Sequence, residues 1–540
     1  MKYLSALSIS FLCVSTAHAQ TFTQVVAFGD SLSDVGNVED ATFGITPGSD
    51  YYDGRFSNGP VWIEDVASHY ALPPLSYSRS GGKNYAHGGV KTGGGSTTYY
   101  IFFSFPNVGT QINSYLGGNT PNASTLYSVW GGGNDLMDNL SVNTQTVVNN
   151  LVNHVTALNN AGARFAIVPN LPPLGEIPKY RNTANRAAYN TLSSNFNTQL
   201  ATAMTSLDGQ LPIKVYQLDV AQMFSEVLAN PTAYGFANVT SPAMNNAANP
   251  DEYLFWDDVH PTRVGHQQLA DRVTDLIDTH DWISSIGVWG GSSNWEVTGV
   301  PATNWIASLK NTSAAGREAK VTASSTVRQL KLSGAGAAMK LTLSPGATLN
   351  VSQSAEVTQG GALRFELAGS PAASQGHLNV SGPITLSGDV EVGTSSGFIP
   401  LPGTTYMPLN YTSRSGSATI VNATGFAGLW FDATYSPTAL TLTAAATSGD
   451  ANLDAVVDSL DFNVFISGYG SLNTNWLTGD FTGEGKTDSL DFNLLAGNFG
   501  VTPSLGTVVP EPAGCAALAL LGLILRLRHK TLPNPVTSRR

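Results

Sequence analysis

Ser31 and His260 are the residues of this chain best suited to covalent chemistry. Ser31 follows Gly29-Asp30 at the end of an apolar run, and His260 comes three residues after Asp257. A serine hydroxyl becomes an effective nucleophile when a histidine takes its proton and a carboxylate orients that histidine. We therefore predict a nucleophile at Ser31, a base at His260 and an orienting carboxylate at Asp257, with Asp258 as the alternative carboxylate.

Two glycine-rich segments between these motifs supply candidate donors for an oxyanion. They read Asn84-Tyr85-Ala86-His87-Gly88-Gly89 and Gly132-Gly133-Asn134-Asp135. Acyl transfer places negative charge on the carbonyl oxygen of the substrate, which backbone N–H groups and asparagine amides stabilise. Within the first segment, His87 is interpreted as either a substrate contact or a structural residue.

The order of these segments resembles the SGNH, or GDSL, hydrolase family. The family's blocks match Gly29-Asp30-Ser31, Gly89, Gly132 to Asp135 and Asp257 to His260, over roughly residues 22 to 280. The resemblance implies an oxyanion hole formed by the backbone N–H groups of Ser31 and Gly89 and by the Asn134 amide, with Gly88 as the competitor of Gly89. Within the family, Gly29 to Asn37 and Asn58 to Trp62 look like the phospholipase/lecithinase/hemolysin branch. Similar blocks also occur in acetylesterases acting on polysaccharides, so both ester classes stay open, and no cofactor is expected for catalysis.

Short apolar runs alternate with helical patterns through residues 20–285, the predicted hydrolase domain. Residues 25–28 and 126–130 predict strands that end just before Ser31 and the second glycine segment, and residues 144–161 carry apolar side chains at helical spacing. This alternation predicts an α/β fold, a parallel sheet with flanking helices. Sites in such sheets form beyond the carboxyl ends of the strands, where Ser31 and Asn134 would lie. His266, in a predicted helix after Pro261, is interpreted as a packing or surface residue.

Residues 286–446 have few charges and many short alternating runs separated by Gly, Ser and Pro turns. Such runs predict an all-β, solenoid-like region. Gly393-Thr394-Ser395-Ser396-Gly397 matches the G-x-S-x-G pattern of a nucleophile turn, but it lacks a strand-turn-helix context and is interpreted as a chance match.

Residues 447–500 contain a duplicated acidic unit that resembles the dockerin type I repeat, a calcium loop followed by a helix. The loop positions that would bind Ca²⁺ are Asp450, Asn452, Asp454, Val456, Asp458 and Asp461 in the first copy and Asp480, Thr482, Glu484, Lys486, Asp488 and Asp491 in the second. Hard oxygen ligands at this spacing suit Ca²⁺, with Val456 and Lys486 contributing backbone carbonyls. Thr482 is a weak ligand, so weaker binding is expected in the second loop.

Both ends of the chain carry targeting signals. Residues 1–19 have Lys2, an apolar stretch and Ala17-His18-Ala19, a pattern typical of a secretory signal peptide. Residues 501–540 hold Val509-Pro510-Glu511-Pro512, a short apolar run and a basic end, and they resemble a PEP-CTERM sorting tail. The resemblance implies export, recognition by an exosortase and a location at the cell surface or in the extracellular matrix, with the tail as a transient membrane anchor.

The charge of the chain is concentrated in the predicted calcium loops. The formal net charge is −12, and residues 450–491 hold eight carboxylates against one lysine. No basic stripe is present, which argues against nucleic acid as a partner. The two cysteines, Cys13 and Cys515, lie in the predicted signal and tail, so no disulfide is expected in the exported part.

Together these features predict a secreted serine esterase that hydrolyses acyl esters of lipids or acetylated carbohydrates. The alternative is a calcium-dependent adhesion or scaffold protein, bound to a surface polysaccharide or protein, with an ancillary hydrolase domain.

Overall fold

The structure, a computed structural model, describes residues 22–99, 102–246, 249–296, 299–369, 375–395 and 397–501. The predicted signal peptide, and all of the predicted tail except Val501, lie outside the described residues. The chain divides into two compact units, one ending at Thr279 and the other beginning at His280.

The first unit contains the helices and strands predicted for an α/β fold. Its helices are α1 (Asn37–Ala41), α2 (Trp62–His69), α3 (Val108–Gly118), α4 (Gly133–Asp138), α5 (Thr144–Ala161), α6 (Pro178–Arg181), α7 (Arg186–Gln210), α8 (Val220–Ala229) and α9 (Arg263–Asp278). Its strands are β1 (Gln24–Gly29), β2 (Ser96–Tyr99), β3 (Phe103–Pro106), β4 (Thr125–Trp130), β5 (Phe165–Pro169), β6 (Lys214–Leu218), β7 (Asn238–Pro242) and β8 (Tyr253–Phe255).

The central sheet has the order β1-β4-β5-β6, and every pairing is parallel. Side chains alternate across it: Val26 and Phe28 pack in one core with residues of α5 and α7, whereas Val25 and Ala27 pack in another with α2 and α9. Both faces are therefore buried, which explains why the strands are continuous apolar runs. The predicted parallel sheet with flanking helices is confirmed.

The second unit is rich in β-structure. Its strands are β9 (Thr279–Asp281, which begins at the division), β10 (Ile286–Val288), β11 (Ile306–Asn311), β12 (Arg317–Val321), β13 (Ser325–Gly334), β14 (Met339–Leu343), β15 (Thr348–Val357), β16 (Gly361–Leu367), β17 (His377–Val380), β18 (Pro383–Leu386), β19 (Asp389–Thr394), β20 (Thr405–Asn410), β21 (Ser413–Ser415), β22 (Thr419–Ala423), β23 (Leu429–Tyr435) and β24 (Ala439–Ala446).

From β10 to β22 the chain passes back and forth between two sheets. One sheet has the order β10-β12-β14-β16-β19-β22, and the other contains β11, β13, β15, β17 and β20 as successive neighbours. The pairings within both runs are parallel, for example Met339 with Gly361 and Ser325 with Leu349. Apolar side chains such as Leu341 and Leu363 are buried between the sheets. The chain thus winds repeatedly between two parallel sheets, as in a β-solenoid. β24 and then β23 add to the β20 end of the second sheet with antiparallel pairings.

Two loop-helix segments follow the strands, with α10 (Ser459–Gly468) and α11 (Ser489–Asn498) as their helices. Asp458 and Asp488 are the N-caps, and Asp461 and Asp491 reach back to the backbone N–H of the caps at 2.9 Å in both copies. The repeated Asp-Ser-Leu-Asp sequence is therefore a helix-starting capping box.

The division between the units falls earlier than the composition indicated. The composition places residues 280–285 in the hydrolase domain, but Trp282 is buried with Trp295 and Trp305 in the core of the β-rich unit. The two loop-helix segments belong to that same unit. Among the described residues, none of the helices is long and apolar enough to cross a bilayer.

Candidate active site

Ser31 lies in the turn that leaves β1. The backbone of Gly29 is clamped by the side chain of Gln111, which accepts from its N–H and donates to its C=O, both at 2.9 Å. A Cβ on Gly29 would lie 2.5 Å from the carbonyl oxygen of Trp130, so β1 and β4 approach too closely there for any side chain. These contacts hold the start of the turn, and Ser31 itself is buried to 8% exposure.

Three of the predicted side chains form one line of hydrogen bonds. His260 Nε2 lies 2.8 Å from Ser31 Oγ, and His260 Nδ1 lies 2.7 Å from Asp257 Oδ2. Ser31 and His260 are 229 residues apart in sequence. An imidazole in this position can accept the serine proton at Nε2 while its Nδ1–H is held by the carboxylate.

Asp257, and not Asp258, contacts the imidazole. Its Oδ1 accepts the backbone N–H groups of Val259 and His260, each at 2.7 Å. Burial alone would raise the pKa of Asp257, but His260 and these backbone donors outweigh it and hold that pKa well below the ordinary value of a carboxyl. Asp257 is therefore a carboxylate anion at ordinary pH, and its charge can balance that of a protonated His260.

The two candidate glycines differ in the use of their N–H groups. The N–H of Gly88 donates to Asp34 Oδ2 at 3.0 Å, and a Cβ at this glycine would lie 2.3 Å from the Phe56 ring. Gly89 has a φ of 76°, a left-handed conformation that favours glycine. Its N–H has no hydrogen-bond acceptor within the described part of the chain, so Gly89 is the glycine free to donate to a bound oxygen.

Asn134 lies near the Ser31 turn. Its Nδ2 donates to the carbonyl of Val90 at 3.0 Å and lies 3.4 Å from Asp30 Oδ2. The second contact is long for a hydrogen bond, so one N–H of the amide is weakly engaged. Next to it, Asp135 accepts from the N–H and the hydroxyl of Thr92, both at 3.0 Å, which ties the segment after Gly89 to α4.

Two buried carboxyls support the Ser31 turn. Asp34 accepts the N–H groups of Gly36 and Asn37, and Asp30 accepts that of Leu32. Burial raises the pKa of each of these two carboxyls to about 6, and their backbone donors offset only part of that effect. Both carboxyls therefore hold the backbone of the turn that carries Ser31.

Proteins of known family are similar to the first unit of this chain. The family model described as GDSL-like Lipase/Acylhydrolase matches residues 25–273. A GDSL esterase/lipase of Arabidopsis thaliana is 30% identical over 295 residues, which cover 44% of this chain and 77% of that protein. This chain belongs to the GDSL lipase/acylhydrolase family. It is accordingly a hydrolase that acts on ester bonds.

Two further matches are an acyltransferase and an acetylesterase. The phosphatidylcholine-sterol acyltransferase of Aeromonas hydrophila is 25% identical over 332 residues, covering 51% of this chain and 97% of that protein. The solved structure of a carbohydrate acetylesterase from Sinorhizobium meliloti matches with 12% identity and a TM-score of 0.30, covering 47% of this chain and 97% of that one.

Two other histidines of the first unit are buried but make no hydrogen bond to Ser31, His260 or Asp257. His87 Nδ1 lies 2.8 Å from the carbonyl oxygen of Tyr85, and burial lowers the pKa of His87 to about 4. His266 lies within α9, where its Nδ1 accepts from the N–H of Trp62 at 3.3 Å, and burial lowers its pKa to about 3. Both are neutral packing residues at ordinary pH.

Sequence reasoning missed the aromatic surroundings of His260. Tyr51 donates its hydroxyl to Asp257 Oδ2 at 2.7 Å, and the Phe56 ring lies 5.2 Å from the His260 ring. Both residues belong to the loop between α1 and α2, which shows no periodicity and no family block. The one available signal was the density of Tyr and Phe in a glycine-rich loop, which does not identify a contact.

In the predicted calcium loops, the first and last carboxylates are buried and collect backbone donors. Asp450 accepts from the N–H groups of Asp454 and Ala455, and Asp480 from those of Gly483 and Gly485. Asp461 and Asp491 likewise accept donors from their own loops. The two loops are thus folded alike around their acidic residues.

The loops differ in how their carboxylates converge. In the second, one oxygen each of Glu484, Asp488 and Asp491 lies within 4.8 Å of the others. Among the described residues, the first loop contains no such three-carboxylate group. Lys486 Nζ lies 2.8 Å from Asp488 Oδ2 at the surface. Calcium binding stays a prediction, but the donors converge in the loop that was expected to bind more weakly.

Proposed function

We propose that this GDSL protein is an exported serine esterase that forms an acyl-enzyme on Ser31. The observation that carries the proposal is the unbroken line of hydrogen bonds from Ser31 through His260 to Asp257. Family membership supports ester hydrolysis as the reaction.

The reaction would run in two halves. His260 Nε2 takes the proton of Ser31 while the serine Oγ attacks the ester carbonyl, and the tetrahedral intermediate collapses when His260 returns that proton to the leaving alcohol. Water then attacks the acyl-serine with the same proton transfers, which releases the acid and restores the hydroxyl. Protein groups carry every proton in this scheme, so we propose catalysis without a cofactor.

The oxyanion of each intermediate would be held by Ser31, Gly89 and Asn134. The free N–H of Gly89 and the weakly engaged N–H of Asn134 support this assignment. Donors that are already oriented stabilise the developing charge without reorganisation, and each is worth about 100- to 1,000-fold in rate.

Lipid esters are the substrate class we favour over acetylated carbohydrates. Large apolar side chains are exposed to solvent in the loop that also contains Tyr51: Phe43 is 89% exposed and Ile45 is 66% exposed. Phe102, at the turn between β2 and β3 after Gly89, is 86% exposed. Exposed apolar groups of this size suit contact with acyl chains.

Hydrolysis of a p-nitrophenyl ester series, from acetate to palmitate, tests the proposal. The full-length protein should turn over these esters, and Ser31→Ala should abolish turnover while the exposed-surface control Ser80→Ala does not. Highest kcat/KM at long acyl chains would support lipid substrates, whereas a peak at acetate would transfer the proposal to carbohydrate deacetylation. Activity that persists in Ser31→Ala would refute the acyl-enzyme.

A second candidate function, calcium-dependent surface attachment, is favoured by the cluster of three carboxylate side chains in the second loop. Glu484, Asp488 and Asp491 present hard oxygen atoms of the kind that Ca²⁺ prefers, so the donor set fits a calcium ion. We propose that Ca²⁺ stabilises the two loop-helix segments and that they bind a surface polysaccharide or protein. Calcium-dependent retention on cells that is unchanged in Ser31→Ala would separate this function from hydrolysis.

Export and surface sorting are proposals from the two ends of the chain. The signal-like residues 1–19 and the tail 501–540 support secretion followed by exosortase recognition. Cell fractionation with and without residues 509–540 tests them, since the shortened chain should be released instead of retained at the surface.

A further inference from the structure

Tyr51 contacts the carboxylate that orients the candidate base. Its hydroxyl donates to Asp257 Oδ2 at 2.7 Å, and this oxygen also receives His260 Nδ1 at 2.7 Å. Tyr51 and Asp257 are 206 residues apart in sequence, so the contact joins the loop before α2 to the turn that carries His260.

The Tyr51 hydroxyl completes the hydrogen bonds of this carboxylate. A carboxylate offers about four acceptor sites. In Asp257 the backbone N–H groups of Val259 and His260 use Oδ1, and the imidazole and the phenol share Oδ2. Three of these four donors belong to the same short turn as Asp257. Tyr51 is the donor that fixes the carboxylate from outside that turn.

Aromatic packing holds the phenol in place. The Tyr51 ring meets the rings of Phe56 and Trp256 edge to face, with centroids 6.2 and 6.4 Å apart. Phe56 also lies against the His260 ring at 5.2 Å. The hydroxyl is therefore delivered by a packed ring and not by a mobile side chain, so its direction towards Asp257 is set by the fold.

We propose that Tyr51 is a positioning residue that holds Asp257 in line with His260 and limits how strongly the carboxylate attracts the imidazolium. The inference rests on the proposed serine mechanism. Because both donors share Oδ2, the phenol competes with the imidazole for the same charge. Removing it should disorder the carboxylate and, at the same time, strengthen its attraction for a protonated His260.

Other ionisable groups face the same site, and a test of Tyr51 must leave their charges and positions unchanged. Asp50 and Asp258 lie close enough to influence Tyr51, while Asp30 and His266 interact with His260. A substitution that removes only the phenol oxygen leaves all of them unchanged.

The test is Tyr51→Phe in the full-length protein, with Tyr52→Phe as the matched control. Tyr52 is 47% exposed, and its ring lies 5.8 Å from the Arg55 guanidinium. Tyr51→Phe should lower kcat about 10-fold with little change in KM, the size expected for a lost hydrogen bond to a charged group. The acid limb of the kcat/KM profile should move to higher pH, because a freed carboxylate stabilises the imidazolium. The control should change neither.

A double-mutant cycle decides whether Tyr51 acts through Asp257. In the Asp257→Asn background, Tyr51→Phe should have no further effect on kcat. Equal losses in both backgrounds, an unshifted acid limb, or a Tyr51→Phe protein that does not fold would each overturn the proposal. If Tyr51→Phe is silent while Ser31→Ala is inactive, this inference alone fails; if Ser31→Ala is active, the serine mechanism fails instead.

Discussion

Asp257 in the first unit and Asp491 in the second are both acidic residues that collect backbone N–H donors, yet their surroundings differ. Asp257 binds two backbone N–H groups through Oδ1 and gives Oδ2 to His260 and Tyr51. Asp491 accepts three backbone N–H groups and lies beside two further carboxylates, Glu484 and Asp488. A carboxylate opposite a base orients that base, whereas carboxylates opposite each other create a place for a cation.

In this chain the function of an aspartate follows from the groups that surround the carboxylate oxygens left free by the backbone donors. In both regions backbone N–H groups occupy some of the acceptor sites of the carboxylate and fix its orientation. The remaining acceptor sites then face either side chains that carry protons or other anions.

Among substitutions around these two aspartates, the largest effect should come from Asp257→Asn. An amide cannot hold the imidazolium that forms when Ser31 is deprotonated, so kcat should fall by roughly 1,000- to 10,000-fold. The matched control is Asp258→Asn, which removes a neighbouring carboxylate that does not contact His260. Steady-state hydrolysis of one activated ester measures both variants, and a greater loss in Asp258→Asn would show that the orienting carboxylate is misassigned.

Asn134→Ala should have the next largest effect. Removing one oxyanion donor typically lowers kcat by about 100- to 1,000-fold with a small change in KM. Asn149→Ala, at an exposed position of α5, is the control. Kinetics on the same ester would contradict the assignment if KM rose while kcat stayed constant, because the amide would then bind the ground state as strongly as the transition state.

Sequence alone predicted much of the first unit, and the reason is periodicity. The helix predicted over residues 144–161 is α5 without change, because its apolar positions and the glycine after it mark both the buried face and the end. The strand before Ser31 was found within one residue at each end. These elements depend on local patterns that packing reinforces.

The contacts that refine the site could not be predicted, because they join residues with no shared pattern. The use of the Gly88 N–H by Asp34, which leaves Gly89 free, depends on how two turns meet. The contact of Tyr51 with Asp257 depends on a loop without periodicity. The division at Thr279 was placed late because residues 280–285 contain a tryptophan, Trp282, whose partners lie further along the chain.

Asp30 should make the stability of the first unit depend on pH. Its pKa is raised from 3.8 to about 6 in the folded protein, so the folded state binds the proton more tightly than the unfolded state does. The contribution of this proton to the free energy of unfolding is complete below about pH 4 and is lost as pH rises through 6. The carboxylate should then cost roughly 3 kcal/mol of unfolding free energy above pH 7. Asp30→Asn should reduce this pH dependence, whereas Asp138→Asn, at a 65% exposed side chain, should not.

Urea unfolding at pH 4.5 and pH 7.5, followed by the loss of the first unit's near-ultraviolet circular dichroism, measures this difference. A wild-type protein that gains stability between these two pH values, with Asp30→Asn behaving the same way, would contradict the buried-carboxyl account.

The smallest effect should separate the two calcium loops. The convergence of Glu484, Asp488 and Asp491 leads us to expect tighter Ca²⁺ binding in the second loop than in the first. Asp491→Asn should therefore remove more of the Ca²⁺-induced rise in melting temperature than the equivalent change Asp461→Asn in the first loop. At a free Ca²⁺ concentration 100 times Kd, binding adds about 2.7 kcal/mol to the free energy of unfolding.

Calorimetry with Ca²⁺ and with a chelator measures the shift in melting temperature. Because both aspartates form the same capping box, any loss of stability without Ca²⁺ should be equal in the two variants. A larger Ca²⁺-dependent loss in Asp461→Asn would mean that Asn452 and the backbone carbonyl of the first loop matter more than the convergence of carboxylates in the second.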